Sequence, residues 1–144
     1  MIQIRSSRPA DGARVLAIWA AAVDATHDFL TPQDRAAIGA EVAAFLPSAP
    51  LLLAVDEDDR AVGFLLMDGS HMEALFVDPA WRGTGVGRAL VAHMLRFHPI
   101  MTTDVNEQNG QAVGFYARLG FVSTGRSEYD GQGRAYPLVH LRST

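Results

Sequence analysis

Residues 82–88 read RGTGVGR; the chain reaches them through the apolar run EALFV and DPAW, and leaves through ALVAHML. Glycine at every second position is costly in backbone entropy and is kept where something must come close to the main chain. A strand that passes through such a loop into a helix exposes several backbone N–H groups at the helix N-terminus, and that is an anion site. Phosphate is the expected guest. A triphosphate loop would end Gly-Lys-Ser/Thr, whereas Gly87 is followed by Arg88 and Ala89. A dinucleotide fingerprint needs GxGxxG; Gly83, Gly85 and Gly87 give GxGxG, with Arg88 where the third glycine belongs. Both of those readings weaken.

Around this unit the hydrophobic periods alternate. Ile2 and Ile4 read as a short strand, and Val15, Ile18, Trp19, Ala22 and Val23 recur at helical spacing up to ATHDFL. Thr31 and Pro32 start a second helix, with Ile38, Val42, Phe45 and Leu46 on its apolar face. Leu51 to Val55 and Ala61 to Met67 flank DEDDR as a hairpin, and His71 to Val77 is a third apolar run. After the glycines, Val86, Leu90, His93, Met94 and Phe97 share one helical face, His93 as a packed core residue, up to Pro99. Ile100 to Val105 is a strand, NEQN caps a helix running to Gly120, and FVSTGRSEY and RAYPLVHL around DGQG close as a hairpin. The expected order is β-α-α-β-β-β-α-β-α-β-β: a mixed α/β (α+β) domain over 1–144, with about six to seven strands and four helices. Such sheets bind ligands in the crevice where strands end and a helix begins.

The chain has 144 residues, 49% of them hydrophobic and 19% charged, enough for one domain with a real core. A net charge of −4 excludes a broad basic footprint for nucleic acid and favours a cationic acceptor. Without cysteine there is no disulfide, no thiolate metal site and no cysteinyl intermediate. No apolar stretch nears the roughly 18 residues of a membrane span, and MIQIRSSRPADG is no signal peptide. A cytoplasmic protein is expected, as monomer or as homodimer through the closing hairpin. The five histidines contain no HExxH and no i,i+4 pair, so no metal is expected.

Arg82, Gly85 and Gly87 resemble the pyrophosphate signature of the GNAT superfamily of acetyltransferases. Asn109, Ala112, Tyr116, Gly120 and Phe121, in NGQAVGFYARLGF, resemble its second signature. VDATHDFL, VNEQNGQAVGFY and TGRSEYDGQGRAYPL are similar to the YjaB-like bacterial type within that superfamily. The resemblance implies a GNAT fold and an N-acetyltransferase that moves acetyl from acetyl-CoA to a primary amine of a small molecule or peptide, by direct attack in a ternary complex. The alternative is a GNAT-fold protein that senses acyl-CoA without catalysis.

It also implies roles. The pyrophosphate rests on Arg82, Gly83, Thr84, Gly85, Val86, Gly87 and Arg88. Leu75, Phe76 and Val77 present backbone groups to the pantetheine arm, and one N–H there holds the acetyl carbonyl. Asn109 reaches the pantetheine or caps its helix. A base must free the amine, whose pKa is about 10; Glu73 and His71 are the candidates, and a water relay is the third possibility. Tyr116 matches the tyrosine that protonates the departing thiolate, a transfer nearly balanced at free phenol and thiol values of about 10 and 8.5. His27 and Asp28 either contact the acceptor or end the first helix, and Tyr129 and Tyr136 either wall the pocket or pair across the hairpin.

Overall fold

A computed structural model describes residues 2–144. Seven strands form one mixed sheet in the order β1-β2-β3-β4-β5-β7-β6. They are β1 (Gln3–Ser6), β2 (Leu52–Val55), β3 (Ala61–Asp68), β4 (His71–Val77), β5 (Thr102–Asn106), β6 (Val122–Ser127) and β7 (Leu138–Arg142). The helices are α1 (Gly12–Thr26), α2 (Pro32–Phe45), α3 (Val86–Leu95) and α4 (Gly110–Arg118), so the chain has the element order its periodicities predict. It gathers into two compact units: residues up to Leu66 with Ala74–Ala92, and Met67–Glu73 with His93–Thr144.

In the first unit β1 pairs with β2 and β2 with β3, both antiparallel, with Gln3 opposite Val55 and Leu53 opposite Phe64. Alternation sends successive residues of β3 to opposite faces. Phe64 enters a core with Val15, Ile18, Trp19 and Val23 of α1 and with Leu53 and Val55, against which Ala74 and Phe76 of β4 also pack. Full burial of side chains such as Phe64 and Ile18 stabilises the fold by about 1.5–3 kcal/mol each. Gly63 meets α3 instead: a Cβ there would stand 2.8 Å from Val86 Cγ1 and 3.2 Å from the Phe76 carbonyl oxygen. A side chain at 63 would push the helix off the strand.

Two apolar faces read from the sequence are buried less than expected. On α2, Ile38 and Val42 pack only partly against the core and Phe45 is 52% exposed. On the same helix, Arg35 stacks 4.7 Å over Trp19 and pairs with Asp24. On α3, Val86 and Leu90 are buried, but the helix stops at Leu95. Phe97 therefore falls outside it, 65% exposed, and His93 is a half-buried ring tilted against Phe97 at 5.5 Å rather than a core residue.

In the second unit β5, β7 and β6 are antiparallel neighbours, with Thr103 opposite Leu141 and Ser127 opposite Leu138. The start of β4 joins β5 in parallel over two pairs, His71 with Thr102 and Met72 with Thr103. Leu75, Phe76 and Val77 lie beyond this short ladder. The chain end is tied in at Ser143, whose N–H donates to the Met101 carbonyl and whose hydroxyl accepts from the Met101 N–H, both at 2.8 Å.

Candidate active site

In the first unit the glycine run is approached through Asp78, which turns the end of β4 into a 3-10 turn at Pro79–Trp81 by accepting from the Ala80 N–H at 2.9 Å. Burial opposes ionisation of Asp78, but the Ala80 N–H and the Arg14 guanidinium outweigh it and hold the carboxyl below its usual range. Arg14 also donates to the Ala61 carbonyl at 2.8 Å, so α1, β3 and the loop entrance are pinned together.

Gly83 and Gly85 take φ of 77° and 91°, which side-chain-bearing residues rarely adopt. A Cβ on either would meet no protein atom within 4 Å. Packing therefore does not demand glycine there; the backbone turn does, and it leaves the main chain bare. Gly87 lies inside α3, whose first turn-closing bond runs from the Ala89 N–H to the Gly85 carbonyl at 2.9 Å. The N–H groups of Val86, Gly87 and Arg88 stand at the open helix end, where intrahelical acceptors do not reach. With Arg82 and Arg88 exposed beside them, the geometry suits an anion.

Next to it, Phe76 of β4 packs on Phe64 at 5.6 Å and on the His27 ring at 6.5 Å. His27 ends α1, its N–H donating to the Val23 carbonyl at 2.7 Å. Its ring lies 5.2 Å from Phe29, with Nδ1 2.8 Å from Thr26 Oγ1. Burial lowers the His27 pKa below 6.5 against the pull of Asp28, which is itself exposed.

In the second unit Tyr116 projects from α4 and is 6% exposed, between Phe115 and Phe121 at 5.1 and 5.4 Å. Burial pushes its hydroxyl well above the ordinary phenol value, outweighing the lowering effect of Thr103. The Thr103 hydroxyl itself donates to the Met72 carbonyl at 2.9 Å. A tyrosine this reluctant to ionise is suited to donate a hydrogen bond; the balanced proton transfer expected from free phenol and thiol values does not apply. Asn109 caps α4 by accepting from the Ala112 N–H at 3.2 Å.

His71 and Glu73 share one face of β4 by alternation. Glu73 is exposed. Both nitrogens of His71 are engaged: Nδ1 lies 2.7 Å from Thr102 Oγ1 and Nε2 3.4 Å from Asp104. The second Asp104 oxygen meets His140 Nδ1 at 2.5 Å, and His140 Nε2 meets Ser127 Oγ at 2.6 Å. This four-residue chain across β4, β5, β7 and β6 was missed in the sequence. Thr102 and Asp104 show only a two-residue spacing there; the cross-strand register that adds His140 is invisible. Tyr129 and Tyr136 do not face each other across strands: both fall in the loop between β6 and β7, the first exposed and the second buried.

The first unit thus carries a bare helix end beside an apolar strand, and the second a buried tyrosine on its helix. Residues 24–138 match the acetyltransferase (GNAT) domain family, and the chain belongs to that family and is an N-acetyltransferase. It is 55% identical over 141 residues to the peptidyl-lysine N-acetyltransferase YjaB of Escherichia coli K12, covering 98% of this chain and 96% of that one. The solution structure of apo YjaB from Escherichia coli superposes with a TM-score of 0.96 at 54% identity, covering 100% of this chain and 98% of that one. The N-acetyltransferase PaiA of Thermoplasma acidophilum, solved with coenzyme A, shares the fold at a TM-score of 0.80 and 14% identity, over 100% and 99% of the two chains. Among the described residues no helix is long and apolar enough to cross a membrane, and no cluster of three or more His, Asp or Glu side chains is arranged to hold a metal.

Proposed function

We propose that the chain transfers an acetyl group from acetyl-CoA to the side-chain amine of a peptidyl lysine, by direct attack in a ternary complex. The observation that carries the cofactor is the pair of bare positive-φ glycines at the open end of α3, which fits a pyrophosphate approached at hydrogen-bond distance. The lysine acceptor rests on the 55% identity to a peptidyl-lysine N-acetyltransferase along nearly the whole chain. Direct attack is supported by the absence of cysteine, which removes the thiol nucleophile of a cysteinyl intermediate.

Residues 82–88 hold the pyrophosphate, and the backbone of Leu75, Phe76 and Val77 binds the pantetheine arm. One N–H of that strand stabilises the oxyanion that develops on attack, a contribution on the order of 3 kcal/mol for a single donor. Tyr116 keeps its proton and donates a hydrogen bond to the departing sulfur. On β4, the exposed carboxylate of Glu73 attracts the lysine ammonium, while the ring nitrogens of His71 are taken up by Thr102 and Asp104.

The test is CoA release, followed with a thiol reagent, over a panel of lysine peptides, free amino acids and small amines, with mass spectrometry of the products. Acetylation at the lysine side chain of at least one peptide is expected. Failure of acetyl-CoA to bind by calorimetry at high micromolar concentration would remove the cofactor assignment. Turnover confined to small amines would remove the peptide acceptor.

A further inference from the structure

The end of α1 holds a proton acceptor already set in its working form, and its tautomer can be read from the hydrogen bonds around it. Thr26 Oγ1 donates to the Ala22 carbonyl at 2.8 Å. A hydroxyl has one proton, so toward His27, 2.8 Å away, the same oxygen can only accept. The proton of that second bond therefore belongs to His27, on Nδ1. In the neutral ring this leaves Nε2 with a bare lone pair. The surroundings favour the neutral ring. Phe29 flanks it from its own loop and Phe76 from β4, while α1 contributes the uncharged Thr26. Asp28 is the charged group that acts on the ring, and burial outweighs it.

A neutral imidazole with a defined lone pair, placed beside the strand proposed to carry the pantetheine arm, is what deprotonation of an attacking amine needs. We propose that His27 Nε2, rather than Glu73, takes the proton of the acceptor amine; this rests on the N-acetyltransferase reading above. A free lysine of pKa about 10 would not yield its proton to an imidazole, but a nitrogen already bonded to the carbonyl carbon is cationic and far more acidic. The transfer therefore accompanies attack. The C–N bond forms and the C–S bond breaks, with its electron pair on sulfur. The nitrogen's proton passes to His27 Nε2, and the sulfur leaves as a thiolate that accepts a hydrogen bond from Tyr116. Solvent then removes the proton from the His27 imidazolium.

The proposal predicts a pH signature. Reaction through free enzyme and free amine needs both in neutral form, so log kcat/KM against pH climbs with a slope of about two below the His27 ionisation and about one above it. His27→Gln, which retains a polar side chain but no titrating base, is expected to show a slope of about one across pH 5 to 8. Its kcat should fall about 100-fold, with the acetyl-CoA Kd unchanged. Glu73→Gln is expected to keep the break in slope and lose less than about fivefold in kcat. Nitrogen-15 NMR of labelled wild-type protein at pH 7 reads the tautomer without any variant or turnover, and a neutral His27 protonated on Nδ1 is expected. An Nε2-protonated or cationic His27, or a His27→Gln enzyme that keeps the break and most of its kcat, overturns the proposal. Should wild-type protein transfer nothing to any peptide or amine, the enzymatic reading fails and takes the role of His27 with it. If wild type transfers and His27→Gln matches it, only the role of His27 fails.

Discussion

Gly85→Ala separates what the backbone turn costs from what the cofactor gains by it. The substitution places a methyl group at φ 91°, where an L residue is strained by about 1–2 kcal/mol. No protein atom lies within 4 Å of that methyl, so no packing clash adds to the strain. For a chain of this length such a loss lowers Tm by about 3–8 °C. If phosphate oxygens sit on the N–H groups of residues 85–88, the same methyl displaces at least one charge-assisted hydrogen bond worth about 1.5–3 kcal/mol. The Kd for CoA should then rise about 10- to 100-fold. Gly69 supplies a matched control: it turns between β3 and β4 at φ 60°, also with no atom within 4 Å of a Cβ, and lies outside the glycine run. Gly69→Ala is expected to lose similar Tm and to bind CoA as wild type does. Thermal melts without ligand and calorimetry with CoA measure the two quantities. A Gly85→Ala protein that loses Tm like the control, yet binds CoA within about threefold of wild type, would refute the assignment of this loop to the pyrophosphate.

Three further outcomes follow from particular contacts. Gly63→Ala overpacks the seam between β3 and α3 and should cost about 1–3 kcal/mol, seen as a lower urea midpoint; an unchanged midpoint would mean that Val86 yields freely. Tyr116→Phe removes the hydroxyl proposed to meet the sulfur and should lower kcat about 100-fold, with little change in peptide KM; wild-type turnover would take Tyr116 out of the reaction. Asp11 accepts two bonds from Arg5 at 2.9 and 3.0 Å and one from the Arg8 N–H at 2.8 Å. The Arg5 bonds lead in holding its pKa below the unfolded value, against burial, so the ionised carboxylate favours the folded state. That contribution is complete above an unfolded value of about 3.9 and is lost as pH falls through the lower folded one. Urea midpoints should therefore drop less between pH 5 and 3 in Asp11→Asn than in wild type; equal drops would show that the Arg5 bonds contribute nothing net.

Some features of this protein are local, and these the chain alone determined. The order of strands and helices follows from apolar periods and from stop residues within a few positions of one another, and β4 was legible to its end residues, His71 and Val77. The glycine run announced a bare turn that opens a helix, because positive-φ turns and open helix ends are short-range chemistry. What packs against what is not local. That Phe45 and Phe97 would be exposed depends on how α2 lies and where α3 stops. The engagement of both His71 nitrogens depends on a register that brings Thr102 beside it, and on Asp104, which reaches back from one strand while holding His140 on another. Tyr116 looked like a phenol poised to give up its proton, until burial between Phe115 and Phe121 raised the cost of its charged form. Burial of the His27 ring depends on Phe76, which only the fold brings beside it. The sequence determined the elements and the glycine turn, because their causes lie within a turn or a strand. Tertiary structure alone decided the protonation and partners of the reactive groups, because desolvation and hydrogen-bond direction exist only once distant segments meet.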